Sequence, residues 1–304
     1  MDYNFVIDIR GDKRYEYLAK RLSGLGYDVF YYENFTDKSG NADLSAVNGI
    51  NSNPIENFTD KGGIADLSAV NGIRANPSGN FINADSDTVY IFPPSVRISR
   101  DAAEKLRDGA TLFAFAEKAA ADTLFKKRIR QIDLFSEENF AYKNAMITAD
   151  GALMLAAENT DIVFSDMNIL IVGFGRVGKS LARIFKILSK RVDVLTFDRG
   201  EYAAAPLFSD GRYGSFDDAE FGVYDVVINT VPARLINKHI VARFKEGVFL
   251  LELASEPGGF DGDAVKKSGI KFLNASGLPA KVAPVSAGKI LLEEIAAHLG
   301  IAGI

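Results

Sequence analysis

The stretch 168–188, NILIVGFGRVGKSLARIFKIL, decides the fold of this chain. It opens with the apolar run Ile169–Val172, which is typical of a strand buried on both faces of a parallel sheet. Gly173, Gly175 and Gly178 then form the pattern GxGxxG. After them apolar residues recur at helical spacing, at Val177, Leu181, Ile184 and Leu188. A strand, a glycine turn and a helix in this order predict a dinucleotide-binding unit.

Each glycine of the pattern has a separate role in such a unit. Gly173 permits the tight turn, Gly175 lets a diphosphate approach the backbone, and Gly178 lets the helix pack closely on the strand. The N–H groups at the helix start, with about half a positive charge from the helix dipole, favour phosphate there. We therefore expect cofactor contacts from Gly173, Phe174, Gly175, Arg176, Val177 and Gly178.

The alternative is a glycine-rich turn that binds no ligand, and the end of the next strand argues against it. Asp198 stands there, where the fingerprint places an acidic residue that binds the adenosine ribose. Its carboxylate would repel the 2′-phosphate of NADP and so favours NAD. Arg199 would pair with that phosphate, which leaves NADP open. Asp198 has a second interpretation, as a cap of the following helix.

Composition narrows the class of protein. The 304 residues are enough for about two domains. The formal charge of −5 and the lack of a basic block argue against nucleic acid as a partner. Cysteine is absent, which excludes disulfides and is compatible with the cytoplasm. We expect no membrane span, because no apolar run approaches ~18 residues, and no metal, because there are only two histidines.

The first half predicts a small parallel-sheet domain. A strand at 4–9 precedes a helix with apolar residues at Tyr15, Leu18 and Leu22, and a second strand follows at 27–32. Gly26 predicts the end of that helix. Further strands are predicted at 87–92, 110–115 and 129–134, with a helix at 102–107.

A tandem repeat interrupts this domain. Residues 33–54 and 56–77 are offset by 23 positions and match at 18 of 22. Two copies are too few for a solenoid, which needs about three. We interpret the repeat as a tolerated surface insertion, since long loops cost little additional closure entropy. A duplicated partner-binding loop is the alternative.

The second half predicts a doubly wound sheet. Strands at 192–197, 223–228, 248–253 and 270–273 follow the glycine unit, with helical segments between them. Clusters of Gly, Pro, Ser and Asn follow the strands, at the edge where such sheets bind ligands. We expect contacts to the nicotinamide half of the cofactor or to substrate from Asn229, Thr230, Val231, Pro232, Ala254, Ser255 and Asn274. Each has an alternative interpretation as a turn residue.

Helix-start signals set the predicted domain boundaries. Thr148, with Asp150 after it, predicts a helix N-terminus, so we expect an N-terminal domain at 1–148 and a nucleotide domain at 149–285. Ser286 predicts the start of a final helix, 286–304, that packs back on the N-terminal domain.

The chain resembles the dipicolinate synthase A family in VGFGRVGKSLARIF (172–185), VVINTVPARLIN (226–237), LLELASEPGGFD (250–261) and ASGLPAKVAPVSAGKIL (275–291). The last two segments are the specific ones, because LAS-x-PGG-x-D and GLP-x-x-VAP-x-[ST]-AG are not general features of dinucleotide domains. The resemblance extends to the first half, in RGDKRYEYLAKRL (10–22) and NAMITADGALMLA (144–156).

This resemblance implies an NAD(P)-binding Rossmann domain and a flavodoxin-like N-terminal domain. It implies oxidation of dihydrodipicolinate to dipicolinate, the pyridine dicarboxylate of bacterial spores. It also implies a partner, the second and flavoprotein-like subunit of the enzyme, dipicolinate synthase B. By family analogy, which is an associational argument, Thr148, Lys281 and Ser286 face the substrate cleft as catalytic candidates. We also expect a homo-oligomer.

The chain departs from the family pattern at two positions. Glu256 stands where the family usually has a basic residue, and Val285 where it usually has lysine. A dicarboxylate substrate is best bound by cations. Lys281, Arg234 and Arg14 remain as candidates for that task.

These departures leave two alternative functions. One is a non-catalytic nucleotide-binding protein that has lost its substrate site. The other is a 2-hydroxy-acid dehydrogenase, which would need a catalytic histidine with a carboxylate and an arginine. We interpret His239 and His298 as structural or surface histidines, so the sequence does not favour that enzyme.

Overall fold

A computed structural model of the chain describes residues 3–9, 12–32 and 87–303. The chain divides into two compact units, Met1–Phe140 together with Pro284–Ile304, and Ala141–Ala283. The division after Phe140 comes earlier than the boundary predicted at 148. The tandem repeat and the predictions made for it lie outside the described residues.

The first unit contains a parallel sheet of five strands in the order β2-β1-β3-β5-β7. A two-stranded parallel pair, β4 and β6, accompanies it. This is the 2-1-3-4-5 order of flavodoxin-like sheets. The strands are β1 (Tyr3–Asp8), β2 (Asp28–Tyr32), β3 (Asp87–Ile91), β4 (Arg97–Ile98), β5 (Thr111–Phe113), β6 (Phe115–Ala116) and β7 (Arg130–Ile132).

The second unit contains a parallel sheet of six strands in the order β10-β9-β8-β11-β12-β13. Counted from β8, this is the order 3-2-1-4-5-6 of doubly wound dinucleotide-binding domains. The predicted fold class is therefore confirmed. The strands are β8 (Asn168–Val172), β9 (Arg191–Leu195), β10 (Gly211–Tyr213), β11 (Val226–Asn229), β12 (Phe249–Glu252) and β13 (Lys271–Asn274).

The α-helices connect these strands or follow them. They are α1 (Lys13–Gly24), α2 (Arg100–Lys105), α3 (Ala121–Lys126), α4 (Glu138–Asn159), α5 (Arg176–Leu188), α6 (Arg199–Ala204), α7 (Lys238–Val241), α8 (Gly262–Ser268), α9 (Leu278–Val282) and α10 (Pro284–Leu299). None of the helices in the described part of the chain has the length and apolarity that a membrane span requires.

The C-terminal helix α10 completes the core of the first unit. Leu291 and Ile295 of α10 are buried in one cluster with Leu18 and Leu22 of α1. Gly288 allows the close approach, since a Cβ there would lie 2.8 Å from the carbonyl oxygen of Arg14. The two helices therefore pack backbone to backbone on one face of the sheet.

Strand β8 is buried on both faces, as its apolar run predicts. Ile169 and Ile171 belong to one hydrophobic cluster, which includes residues of α4 and α5. Leu170 and Val172 belong to the opposite cluster, which includes residues of α7 and α8. The alternation of side chains along a strand sends successive residues into the two layers.

Two predicted helix starts are wrong. Helix α4 begins at Glu138, so Thr148 is an interior residue whose Oγ1 donates to the Asn144 carbonyl oxygen at 2.9 Å. No proline or glycine interrupts 138–148, and the helix therefore extends upstream of the threonine. Helix α10 begins at Pro284 rather than at Ser286, because the fixed φ of proline suits the first turn.

Candidate dinucleotide site

The carboxyl ends of the central strands form one row in the second unit. Leu195, Val172, Asn229, Glu252 and Asn274 are successive cross-strand partners from β9 to β13. The segments predicted to bind cofactor follow directly after these five residues. Ligands of open parallel sheets lie beyond this edge, at the point where the strand order reverses. That point falls between β8 and β11, at the glycine loop.

The geometry of the glycine loop explains why its first and last positions are glycine. Gly173 has φ +94°, a conformation that L side chains rarely adopt, and a Cβ there would overlap Thr230 and Val231. A Cβ on Gly178 would overlap the carbonyl oxygen of Gly173, so the start of α5 packs against the loop itself. At Gly175 the nearest atom to an added Cβ is a carboxylate oxygen of Glu201 at 3.8 Å. The middle glycine thus borders open space.

The start of α5 offers backbone donors to that space. Gly175 is the N-cap residue and supplies no side-chain hydrogen bond to the first turn. Arg176 and Val177, half-buried, begin the helix. The Phe174 side chain is fully buried and packs edge-on against Phe208 at 5.8 Å between ring centroids, so it contacts the core. An uncapped helix N-terminus beside an unobstructed glycine fits the diphosphate of a dinucleotide.

Asp198 caps the helix that follows β9. Its Oδ1 accepts from the Glu201 backbone N–H at 2.8 Å, and Arg199 is exposed at the first helical position. Oε2 of Glu201 in turn accepts from the hydroxyl of Thr196 at 2.6 Å. Sequence reasoning missed Glu201, although the spacing of Asp198 and Glu201 is that of a capping box. Two carboxylates therefore lie on this side of the glycine loop.

The segment after β11 is anchored to the sheet. Thr230 donates from both its backbone N–H and its hydroxyl to the carbonyl oxygen of Val172, at 2.9 and 3.0 Å. The side chain of Asn229 is fully buried and donates to the carbonyl oxygen of Val231 at 2.9 Å. Val231 is half-buried and Pro232 is exposed. Asn229 thus shapes the loop, while Val231 and Pro232 form its accessible surface.

Glu252, the last residue of β12, is a buried carboxylate that sequence reasoning missed. Its side chain accepts from the Asn229 amide at 2.7 Å and from the backbone N–H groups of Ala254 at 3.0 Å and Gly259 at 2.6 Å. Ala254 is buried, whereas Ser255 is exposed. The available signal was an acidic residue at the end of the apolar strand FLLE.

The remaining candidates occupy different places. Oδ1 of Asn274 accepts from the Ser276 backbone N–H at 3.1 Å, and Lys281 donates from Nζ to the Ser276 carbonyl oxygen at 2.9 Å. These residues and Thr148 belong to the second unit. Ser286 is exposed on α10 and belongs to the first unit.

Arg14 does not have the exposed guanidinium expected of a substrate ligand. Asp12 holds it with three hydrogen bonds of 2.6 to 3.2 Å, and the residue is buried. Burial opposes its charge, but the hydrogen bonds that Arg14 donates to Asp12 and the nearby charges outweigh this and raise the pKa of Arg14. Arg234 is exposed.

The two histidines lie in helices of different units, His239 in the second unit and His298 in the first. His239 is exposed in α7, where its backbone N–H donates to Asn237. His298 Nε2 lies 2.9 Å from Oε2 of Glu137 in the first unit. Arg130 donates to the backbone carbonyl oxygen of His298 rather than to its ring. This cluster fastens the end of α10, which agrees with the interpretation of His298 as structural.

Comparison with known proteins bears on the resemblance seen in the sequence. No protein-family model matches the chain. Dipicolinate synthase A of Bacillus subtilis (strain 168) is 33% identical over 184 residues. Over those residues the chain is similar in sequence to dipicolinate synthase A. The match covers 59% of this chain and 59% of that protein, so it spans less than two thirds of the relative.

Solved structures agree on the fold. Dipicolinate synthase A from Bacillus halodurans superposes with a TM-score of 0.70 at 22% identity, covering 100% of this chain and 98% of that one. A D-lactate dehydrogenase from Treponema pallidum gives 0.58 at 15% identity, over 98% and 97% of the two chains. The fold is therefore that of the Rossmann-type dehydrogenases.

Proposed function

We propose that this protein is a nicotinamide-dinucleotide-dependent oxidoreductase of the dipicolinate synthase A type, which oxidises dihydrodipicolinate to dipicolinate. The observation that carries the proposal is the glycine loop, where Gly173 and Gly178 are sterically required and Gly175 borders open space. The specific segments LLELASEPGGFD and ASGLPAKVAPVSAGKIL support the assignment of dihydrodipicolinate as the substrate.

The proposed reaction removes a hydride and a proton from a dihydropyridine ring. The bound dinucleotide supplies the hydride acceptor, the proton passes to water, and the ring becomes aromatic. The chain's own task is to orient the two molecules and to stabilise their charges. The backbone N–H groups of Arg176 and Val177 would hold the diphosphate, and Ser255 with Asn274 would contact the nicotinamide amide or the substrate.

Lys281 is the cation that we assign to a substrate carboxylate. Its ammonium has three donors, and one reaches the Ser276 carbonyl oxygen, so the same group can bind a carboxylate with another. Thr148 and Ser286 are proposed as further polar contacts to the substrate. Asp198 favours NAD over NADP, since a 2′-phosphate would bring nearly two negative charges beside it.

We further propose dipicolinate synthase B as a partner, a homo-oligomeric state and a cytoplasmic role in spore formation. The homologue is by name one of the subunits of its enzyme, which supports a partner. Glu256 is exposed in the loop after β12, so its charge faces any ligand that reaches that loop. A non-catalytic nucleotide-binding protein, in which Glu256 and Val285 mark a lost substrate site, is the alternative.

The test combines cofactor binding with turnover. NAD and NADP are titrated into the purified protein while tyrosine fluorescence is followed, since the chain has no tryptophan. Dihydrodipicolinate is then added, with and without dipicolinate synthase B, and the absorbance of the reduced cofactor is recorded. Reduction supports the proposed enzyme. Binding without turnover in either condition favours the non-catalytic alternative, and absence of binding refutes both.

A further inference from the structure

The loop 253–260 is built around the carboxylate of Glu252. Glu252 is 2% exposed and accepts four hydrogen bonds, from the Asn229 amide and from the backbone N–H groups of Ala254, Gly259 and Phe260. These donors come from both ends of the loop and from the neighbouring strand. One side chain therefore fixes where the loop leaves the sheet and where it returns.

Two glycines of the loop are shaped by this arrangement. Gly258 has φ +73°, and a Cβ there would lie 3.0 Å from Oε2 of Glu252. A Cβ on Gly259 would overlap the Asn229 amide. Asp261 then caps α8 by accepting from the Ala264 N–H at 3.1 Å. The segment ELASEPGGFD thus encodes a buried carboxylate, a turn that wraps it and the start of the next helix.

The position of the loop relates it to one half of the proposed ligand. The row Val172, Asn229, Glu252 places the loop two strands from the glycine loop, or about 10 Å at ordinary strand spacing. Asp198 and Glu201 lie after β9, on the opposite side of β8. A dinucleotide that crosses the switch point with its diphosphate at Gly175 extends its adenosine toward β9 and its nicotinamide toward β12.

On the basis of the proposed function, we infer that Glu252 is a positioning residue for the nicotinamide half of the dinucleotide. It acts through the loop 253–260 and does not itself contact the ligand, because its carboxylate oxygens are engaged by protein donors. Glutamine in place of Glu252 would put an NH2 group where a carboxylate oxygen now accepts hydrogen bonds. Because that group would face other donors, the loop would shift.

The test compares NADH with ADP-ribose, which shares the adenosine and diphosphate but lacks the nicotinamide. Affinities for both are measured by calorimetry with the wild type and with Glu252→Gln. Glu252→Gln is expected to lower the affinity for NADH by about tenfold, which is the scale of one hydrogen bond to a charged group. The affinity for ADP-ribose is expected to change much less. A distortion of the whole domain would lower the affinities for NADH and ADP-ribose alike.

Asp193→Asn is the matched control. Asp193 is also a fully buried carboxylate of the same sheet, bonded to the Tyr224 hydroxyl, but it lies in the middle of β9. Its amide variant should lower stability without changing the ratio of the two affinities. Gly259→Ala is a second route to the same loop, and it should reproduce the selective loss of NADH affinity even if Glu252→Gln does not fold.

The outcomes separate the inference from the proposed function. A selective loss of NADH affinity in Glu252→Gln or Gly259→Ala, absent from Asp193→Asn, supports the inference. An equal loss of affinity for NADH and ADP-ribose, or no loss of affinity in either variant, overturns the inference while the proposed function stands. Wild-type protein that binds neither NADH nor ADP-ribose refutes the proposed function, and the inference fails with it.

Discussion

The carboxylate of Asp198 accepts a hydrogen bond from the backbone N–H of Glu201 at 2.8 Å, and the side chain of Glu201 lies beside the glycine loop. An oxygen of Glu201 lies 3.8 Å from the position of a Cβ on Gly175. The cap interpretation of Asp198 and its proposed role in cofactor choice are therefore compatible. The capping carboxylate stays exposed, and it orients a helix whose third residue carries the other carboxylate.

We predict that removing either charge lowers the preference for NADH over NADPH. Asp198→Asn keeps an oxygen for the cap, and Glu201→Gln keeps one for Thr196, so both should fold normally. Each should narrow the ratio of the two dissociation constants by about tenfold, because a 2′-phosphate is no longer repelled. Fluorescence titration with both dinucleotides measures this, and an unchanged ratio in both variants would contradict the assignment.

Gly175→Ala and Gly178→Ala should affect different properties. Gly175 has an ordinary φ of −71° and room for a Cβ, so its alanine variant should unfold at nearly the wild-type temperature yet bind ADP-ribose more weakly. Gly178→Ala should lose about 1–3 kcal/mol of stability, the usual cost of overpacking, because its Cβ meets the Gly173 carbonyl. Thermal melts and ADP-ribose titrations of both variants test the contrast. The reverse pattern would refute this account of the loop.

Tyr224 predicts a loss of stability at alkaline pH. Burial, and then its hydrogen bond to Asp193, raise the pKa of Tyr224 above the ordinary 10.0. The unfolded chain therefore loses this proton first, so the contribution is complete below pH 10 and declines as pH rises beyond it. In Tyr224→Phe, the free energy of unfolding should fall less steeply above that pH. Urea unfolding at a series of pH values measures the slope.

The same variant has an expected cost at neutral pH. Phenylalanine leaves Oδ2 of Asp193 without the hydroxyl that now lies 2.5 Å away, which costs about 1–3 kcal/mol. Tyr15, whose pKa burial also raises, remains in the first unit and will retain some alkaline sensitivity. Identical slopes in wild type and variant would show that Tyr224 does not titrate on unfolding.

Lys281→Gln tests the proposed substrate cation. Loss of the ammonium should raise KM for dihydrodipicolinate about tenfold while leaving the affinity for NADH unchanged, since a charge-assisted hydrogen bond is worth about 1.5–3 kcal/mol. Lys289→Gln, an exposed lysine of α10 that pairs with Glu293, is the control. Initial rates at varied substrate separate the two variants, and equal KM values would remove Lys281 from the site.

The sequence pattern predicted the parts of the fold that depend on local signals. The apolar run Ile169–Val172 and the spacing of the glycines are sufficient to place β8 and α5, because burial on two faces leaves a continuous hydrophobic strand. The short strand β10 was missed, since Gly211–Tyr213 is too short and too polar to show a period. The predicted helix start at Thr148 is wrong because threonine, a common N-cap residue, also occurs inside helices, where its hydroxyl donates to a carbonyl oxygen of the preceding turn.

The site was predictable only where the chemistry is local in the chain. The roles of Gly173 and Gly178 follow from a fingerprint of six residues. The role of Glu252 does not, because its donors come from positions as far apart as Asn229 and Phe260 and meet only through the sheet register. The sequence allows Asp198 to cap a helix or to bind the ribose. Only the folded chain shows from which backbone N–H group its carboxylate accepts a hydrogen bond.

The return of α10 to the first unit has a consequence for biosynthesis. The hydrophobic surface of α1 stays uncovered until Leu291 and Ile295, which follow it much later in the chain, have left the ribosome. The segment 141–283 is continuous in the chain and can form its core while the surface of α1 is still uncovered. A nascent chain stalled after Ala283 would thus carry a complete second unit and a first unit whose α1 still exposes its apolar face.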